Sequence, residues 1–137
     1  MEEDCIFCKI IAKEIPAEVV FENQHTLAFL DIHPNNHGHT LVIPKKHYRN
    51  VFDTPEDVWT EIMKTVHHIA GAVRDGSGAK GVNISNNNER VAHQEVFHTH
   101  IHIIPRFEND PHKPWGSKSY EDGAFTAVAE SIRNRIT

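Results

Sequence analysis

The sequence predicts an α+β domain in which five short strands form a mostly antiparallel sheet around one long helix, with a second helix at the C-terminal end. Three observations predict it. Short apolar runs recur between turn-forming residues, a single stretch holds apolar residues at helical spacing over several turns, and no repeat, low-complexity segment or linker divides the 137 residues. That length fits one domain, residues 1–137, and 39 % hydrophobic against 24 % charged residues is enough to bury a core.

The elements follow in order. Residues 5–12 (CIFCKIIA) read as a short helix with Ile6, Phe7 and Ile10 on one face, and Pro16 hands over to extended chain. Residues 17–22 and 26–31 flank Asn23-Gln24-His25 as a β-hairpin. Residues 34–38 (PNNHG) are a loop, and residues 39–44 (HTLVIP) a third strand closed by its proline. Thr54-Pro55-Glu56-Asp57 reads as a helix start, with a threonine cap, proline in the first position and acids in the first turn. Val58, Ile62, Val66, Ile69 and Val73 then recur at helical spacing up to Gly76-Ser77-Gly78. Residues 81–85 and 99–104 supply the fourth and fifth strands, and residues 111–116 a loop. A helix from 122 to about 135 turns Phe125, Val128, Ala129 and Ile132 inward. The sheet keeps free edges, and the long helix an uncovered face around Trp59, Met63 and Val66; a second copy of the chain would cover both.

A formal net charge of −5 argues against a surface that coats nucleic acid, while leaving room for a pocket that binds one phosphate. No apolar run approaches the ~20 residues of a membrane span. The start, Met1-Glu2-Glu3-Asp4, is acidic where a secretory signal is basic and then apolar, so a cytoplasmic location is expected. Cys5 and Cys8 are the only cysteines, spaced C-x-x-C. In a reducing compartment they are thiols or metal ligands. A redox motif would follow a strand, and nothing strand-like can precede residue 5; two unrelated buried thiols is the plain alternative.

The abnormal number is 12 histidines. In His98-Thr99-His100-Ile101-His102-Ile103-Ile104-Pro105-Arg106, strand alternation puts His98, His100 and His102 on one face and Thr99, Ile101 and Ile103 on the other. Three imidazoles on one face are costly as mere structure, because each buried ring nitrogen needs a partner. A row with ~6.6 Å between neighbours suits a tetrahedral metal poorly, so one or two of them at most share an ion.

This stretch resembles the signature of the histidine-triad (HIT) family, His-x-His-x-His and two apolar residues. Gln94-Glu95-Val96-Phe97 before it, the run from Asp31-Ile32 to residues 39–45 (HTLVIPK), and the opening CIFCKIIAKEIPA are similar to the family too. The likeness spans residues 4 to 106 against the Hint-like nucleoside-phosphoramidase branch and extends to the shorter bacterial-type members. It implies that His100 is the nucleophile on the α-phosphorus of a purine nucleotide. His102 is then the protonated partner that contacts phosphate and assists the leaving group, with His98 completing the triad and His39 supporting the nucleophile from the neighbouring strand. A neutral imidazole with its other nitrogen donating to a carbonyl suits such an attack. Asp31 is implied for the ribose hydroxyls; Ile6, Phe7, Ile10, Phe29, Ile32 and Leu41 for the base; Asn87, Gln94 and Glu95 for the phosphate or ribose. By pattern alone these apolar residues are ordinary core, and one of Asn86, Asn87 and Asn88 is a turn residue.

Two positions depart from the Hint pattern: Glu95 stands where a serine or threonine is usual, so only its backbone N–H serves, and His93 replaces a glycine. The tail from 107 to 137 also differs, and Trp115 within it is not assigned to substrate selection. His47 and His98 resemble the ligands that complete a structural zinc site with Cys5 and Cys8. The remaining histidines, His25, His33, His37, His67, His68 and His112, read as surface or loop. The resemblance further implies a homodimer with a ten-stranded sheet, its interface on the residue 58–73 helix and the 81–85 strand, the tail of one chain near the other's pocket. The activity it implies is hydrolysis of a nucleoside 5′-phosphoramidate or adenylate. A dinucleoside polyphosphate hydrolase, towards which Ile104-Pro105-Arg106 leans, and a nucleotide-binding scaffold with little turnover stand as alternatives.

Overall fold

The computed structural model describes residues 3–112 and 116–136; Trp115 and the other central residues of the loop expected at 111–116 lie outside the described residues. A short helix α1 (Ile6–Ile11) precedes strands β1 (Val19–Glu22), β2 (Thr26–Leu30) and β3 (Thr40–Pro44). The long helix α2 (Glu56–Gly76) leads to β4 (Gly81–Ser85), β5 (Ile101–Arg106) and a last helix α3 (Ala124–Arg133). All five strands pair antiparallel in the order β1-β2-β3-β5-β4.

Both faces of the sheet's centre are covered, which is why β2 and β3 read as continuous apolar runs rather than alternating ones. On one face Ala28, Val42, Ile101 and Ile103 meet Ile62, Val66 and Ile69 of α2. On the other, Leu27, Phe29, Leu41 and Ile43 meet Phe7, with Ile10, Ile11 and Val96 packed around them. The hairpin turn is held by Asn23, whose Oδ1 accepts the N–H groups of His25 and Thr26.

Four expectations are corrected. Helix α2 starts after Pro55, because the Thr54 hydroxyl donates to the Asn50 carbonyl and pairs with that of Thr99 instead of capping. Val66 is 2 % exposed and belongs to the core, so the uncovered face of α2 does not include it. Strand β5 runs two residues later at both ends than expected. Thr99 gives its N–H to the Tyr48 carbonyl of the 45–50 loop, while Pro105 pairs opposite Val82. Finally, α3 buries no side chain, and Phe125, Val128 and Ile132 point to solvent. The two sheet faces are already filled by α2 and by the N-terminal segment, which leaves this helix no inward surface to meet.

Candidate active site and metal centre

Strand β5 and the residues just before it carry the three triad histidines to one place. Phe7 touches the rings of both His98 and His100 edge-on, with centroids at 5.8 and 5.2 Å, and the His100 and His102 centroids lie 4.9 Å apart. A backbone N–H only donates and a carbonyl only accepts, so backbone partners fix where each imidazole holds its proton.

His100 lies 2.7 Å from the His98 carbonyl through Nδ1, which therefore bears the proton and leaves Nε2 as the ring's lone pair. Asn86 Nδ2 donates to the carbonyl of His100 itself, pinning that residue from β4's end. His39 accepts the Asn35 N–H at Nδ1 (3.0 Å), so its proton sits on Nε2 and points at His102 Nδ1, 2.9 Å away. His102 in turn holds its own proton on Nε2. The expected support of His100 by His39 is thus a bond to His102: His39 directly precedes β3, where Leu41 pairs with His102.

Burial depresses the pKa of His39 and His100 below the ordinary histidine value. Burial, then the neighbouring His100 and His39, brings His102 down to about 4. In the ligand-free protein at neutral pH His102 is therefore an uncharged donor, whereas the resemblance implies a protonated partner once phosphate is bound. The same proton placement rules out a cation at Asp31, His39 and His102, although their ligand atoms are close, because His39 Nε2 has no lone pair to give. Asp31 directly follows β2, its Oδ1 held by the His33 N–H and its Oδ2 3.8 Å from His39 Nε2.

The other predicted contacts separate into floor, rim and scaffold. Phe7, Phe29 and Leu41 are buried in one cluster, with Ile10 packed against it. Ile6 and Ile32 stand out, 43 % and 79 % exposed. Of the three asparagines, Asn86 and Asn88 bond within the protein, whereas the Asn87 side chain bonds to nothing among the described residues. Gln94 is 2 % exposed and spends its amide on the Arg49 and Val96 carbonyls, the Glu89 N–H and Asn50. It shapes the loop before the triad. Glu95 is exposed beside Asp4, His47 and Arg49. Sequence reasoning missed Asn86, Asn35, Asn36 and Asp110, which act through loop geometry that no local pattern displays.

His98 is bonded through the other ring nitrogen from His100. Its Nε2–H donates to the Pro44 carbonyl at 2.9 Å, which turns the Nδ1 lone pair to Cys5 Sγ (3.4 Å), Cys8 Sγ (3.6 Å) and His47 Nδ1 (3.1 Å). Cys8 Sγ also lies 3.4 Å from His47 Nδ1. A tetrahedral zinc with Zn–S of about 2.3 Å and Zn–N of about 2.05 Å separates its ligand atoms by about 3.3–3.6 Å for N···N and N···S. The residues present therefore fit zinc: soft thiolates, two imidazoles, and a carbonyl orienting one of them. The ring of His98 belongs to this Cys/His cluster, and its carbonyl is what meets His100. The six histidines read as surface or loop are all exposed.

A HIT-domain profile matches residues 12–109 of the chain. The chain belongs to the HIT family. It is 56 % identical over 106 residues to an uncharacterised HIT-like protein of Methanocaldococcus jannaschii (77 % of this chain, 81 % of the relative). It is 41 % identical over 106 residues to the adenosine 5′-monophosphoramidase of Saccharomyces cerevisiae (77 % and 65 %). A crystal structure of a HIT-family protein from Bacillus subtilis superposes with a TM-score of 0.90 at 42 % identity, covering 98 % of this chain and 99 % of that one. A zinc-bound histidine-triad protein from Mycobacterium smegmatis matches at 0.77 and 34 % identity, covering 96 % and 98 %. No helix among the described residues of this HIT protein is long and apolar enough to cross a membrane.

Proposed function

We propose that this HIT protein is a nucleotidyl hydrolase that cleaves a purine nucleoside 5′-phosphoramidate, or a related adenylate, to the nucleoside 5′-monophosphate through a covalent nucleotide on His100. The observation that carries the reading is the bond from His100 Nδ1–H to the His98 carbonyl, which leaves Nε2 as the one nucleophilic lone pair. Similarity to a yeast adenosine 5′-monophosphoramidase supports the substrate class.

In this reading Asp31 Oδ2 takes the ribose hydroxyls, Asn87 contributes a polar contact, and Phe7, Phe29 and Leu41 form the floor beneath the base, with Ile6, Ile10 and Ile32 at its edge. His100 Nε2 attacks the α-phosphorus and the bond to the leaving nitrogen breaks. A phosphoramidate nitrogen protonated in water departs as the neutral amine, so the step needs no acid; His102 Nε2–H stabilises the phosphate oxygens as a neutral donor. Water then attacks phosphorus, the P–Nε2 bond breaks and returns its electron pair to the ring, and the surplus proton passes to solvent. Cys5, Cys8, His47 and His98 would hold a closed four-ligand zinc whose contribution is structural, tying α1 to the catalytic strand. Cysteines kept as metal ligands and not joined in a disulfide accord with a reducing, cytoplasmic setting. The exposed β4 edge, with Ile84 48 % exposed, and the bare apolar face of α3 support a homodimer that joins two sheets into ten strands.

Arg106 bears on the polyphosphate alternative. It is 18 % exposed and tied to Asn83 and Asp110, so it is not free to meet a second phosphate group. Incubation with adenosine phosphoramidate and, in parallel, diadenosine polyphosphates tests the reading. AMP release from the first, with a nucleotide adduct on His100 trapped by acid quench and mass spectrometry, is expected. Release from neither overturns hydrolysis, and a marked preference for the second overturns the substrate class.

A further inference from the structure

The proton on His39 is set by a backbone group that lies in a loop, not in the sheet. Asn35 N–H reaches His39 Nδ1 because residues 33–38 are clamped from outside the site. Asn36 Nδ2 donates to the Pro105 carbonyl (2.9 Å) and to Asp110 Oδ2 (2.7 Å). Asp110, whose side chain is 5 % exposed, is itself held by the N–H groups of Phe107 and His112 and by Arg106. On the loop's other side Gly38 sits at φ +93° with space for no side chain: a Cβ there would approach Ser77 Cβ to 2.9 Å and Pro105 Cγ to 3.2 Å. The His39 N–H closes back on the Asn36 carbonyl. The loop is thus fixed by Asn36 on Pro105 and Asp110, by the close approach at Gly38, and by the His39 N–H on the Asn36 carbonyl.

We propose that Asn36 and Asp110 are positioning residues, which hold the Asn35 N–H on His39 Nδ1 and thereby fix the protons of both His39 and His102 on Nε2. Without the clamp, His39 is free to carry its proton on Nδ1. Its Nε2 then becomes an acceptor, and His102 must turn its proton inward, from Nε2 to Nδ1. The donor aimed at the phosphate is lost although no residue that touches substrate has changed. The consequence for turnover rests on the hydrolase reading above; the proton placement does not.

The experiment is long-range ¹H–¹⁵N NMR of the histidine rings in the ligand-free protein, with kcat and KM measured alongside. In the unaltered protein His39 and His102 each show a protonated Nε2. Asn36→Ala and Asp110→Ala are expected to move His39, and with it His102, to a mixture of tautomers. They should lower kcat about tenfold while KM stays within about threefold, since the donor and not the pocket is disturbed. Asn83→Ala, which removes another Arg106 partner at the same sheet end, is expected to leave the tautomers unchanged. Retention of the Nε2–H form in both clamp variants overturns the proposal, as does a tautomer change of equal size in Asn83→Ala. Should Asp110→Ala fail to fold, Asn36→Ala decides alone, its side chain being only half-buried. A protein that turns over no nucleotide defeats the hydrolase reading, yet the NMR still decides this one.

Discussion

His98 and His100 are two residues apart on one face of the chain, and the backbone makes them opposites. The Pro44 carbonyl claims Nε2 of His98 and leaves Nδ1 to the thiols of Cys5 and Cys8. The His98 carbonyl claims Nδ1 of His100 and leaves Nε2 free. In the proposed reading one imidazole is a metal ligand and the other a nucleophile, with no difference in residue type and little in burial, 0 % against 5 % exposed. The difference teaches that a buried histidine's chemistry is decided by which ring nitrogen the nearest carbonyl takes.

The largest expected effect breaks the nucleophile side alone. His100→Ala is expected to lower kcat by about 10³-fold or more, leave AMP affinity within a few-fold by calorimetry, and keep the metal content unchanged. Near-normal turnover would remove His100 from the chemistry.

Cys8→Ser breaks the other side. Protein purified without chelator is expected to hold close to one zinc per chain, and this variant to lose most of it. Its Tm should fall by about 5–10 °C, with kcat reduced far less than by His100→Ala. Metal-free protein of unchanged stability would return the cysteines to ordinary buried thiols.

Acid sharpens the comparison. His102 titrates near 4 in the folded protein against an ordinary 6.5. Between those values the unfolded chain binds the extra proton and the folded one does not, so this contribution to stability is complete above pH 6.5 and is lost as pH falls towards 4. The Tm is expected to drop by several degrees over that interval, and His102→Asn to flatten the drop. The acid limb of kcat/KM should lie below pH 6.5, checked with a pH series on adenosine phosphoramidate.

The smallest effect concerns the carbonyl of His100. Asn86→Ala removes the donor that pins it, and a fall in kcat of about 3- to 10-fold with zinc content intact is expected. A loss of zinc instead would mean that the two corners are not independently held.

The strands, α2 and the histidine face were legible because each rests on periodicity: apolar residues every 3.6 positions for Ile62, Val66 and Ile69, every second position for Ile101 and Ile103. The floor residues Phe29 and Leu41 were legible as apolar strand positions, yet only packing against Phe7 puts them beneath the triad. Helix α3 misled for the same reason. An amphipathic stripe says which face seeks cover, not whether its own chain offers any.

By itself the sequence determined the element types, the antiparallel α+β class, the C-x-x-C pair and the three aligned imidazoles, all properties of near neighbours along the chain. Only the tertiary structure decided what each imidazole does. Pro44 lies 54 residues from His98, His39 lies 63 from His102, and Asn36 lies 74 from Asp110. A ring nitrogen's role depends on the single donor or acceptor within about 3 Å of it, and which group arrives there is fixed by how distant segments close on one another.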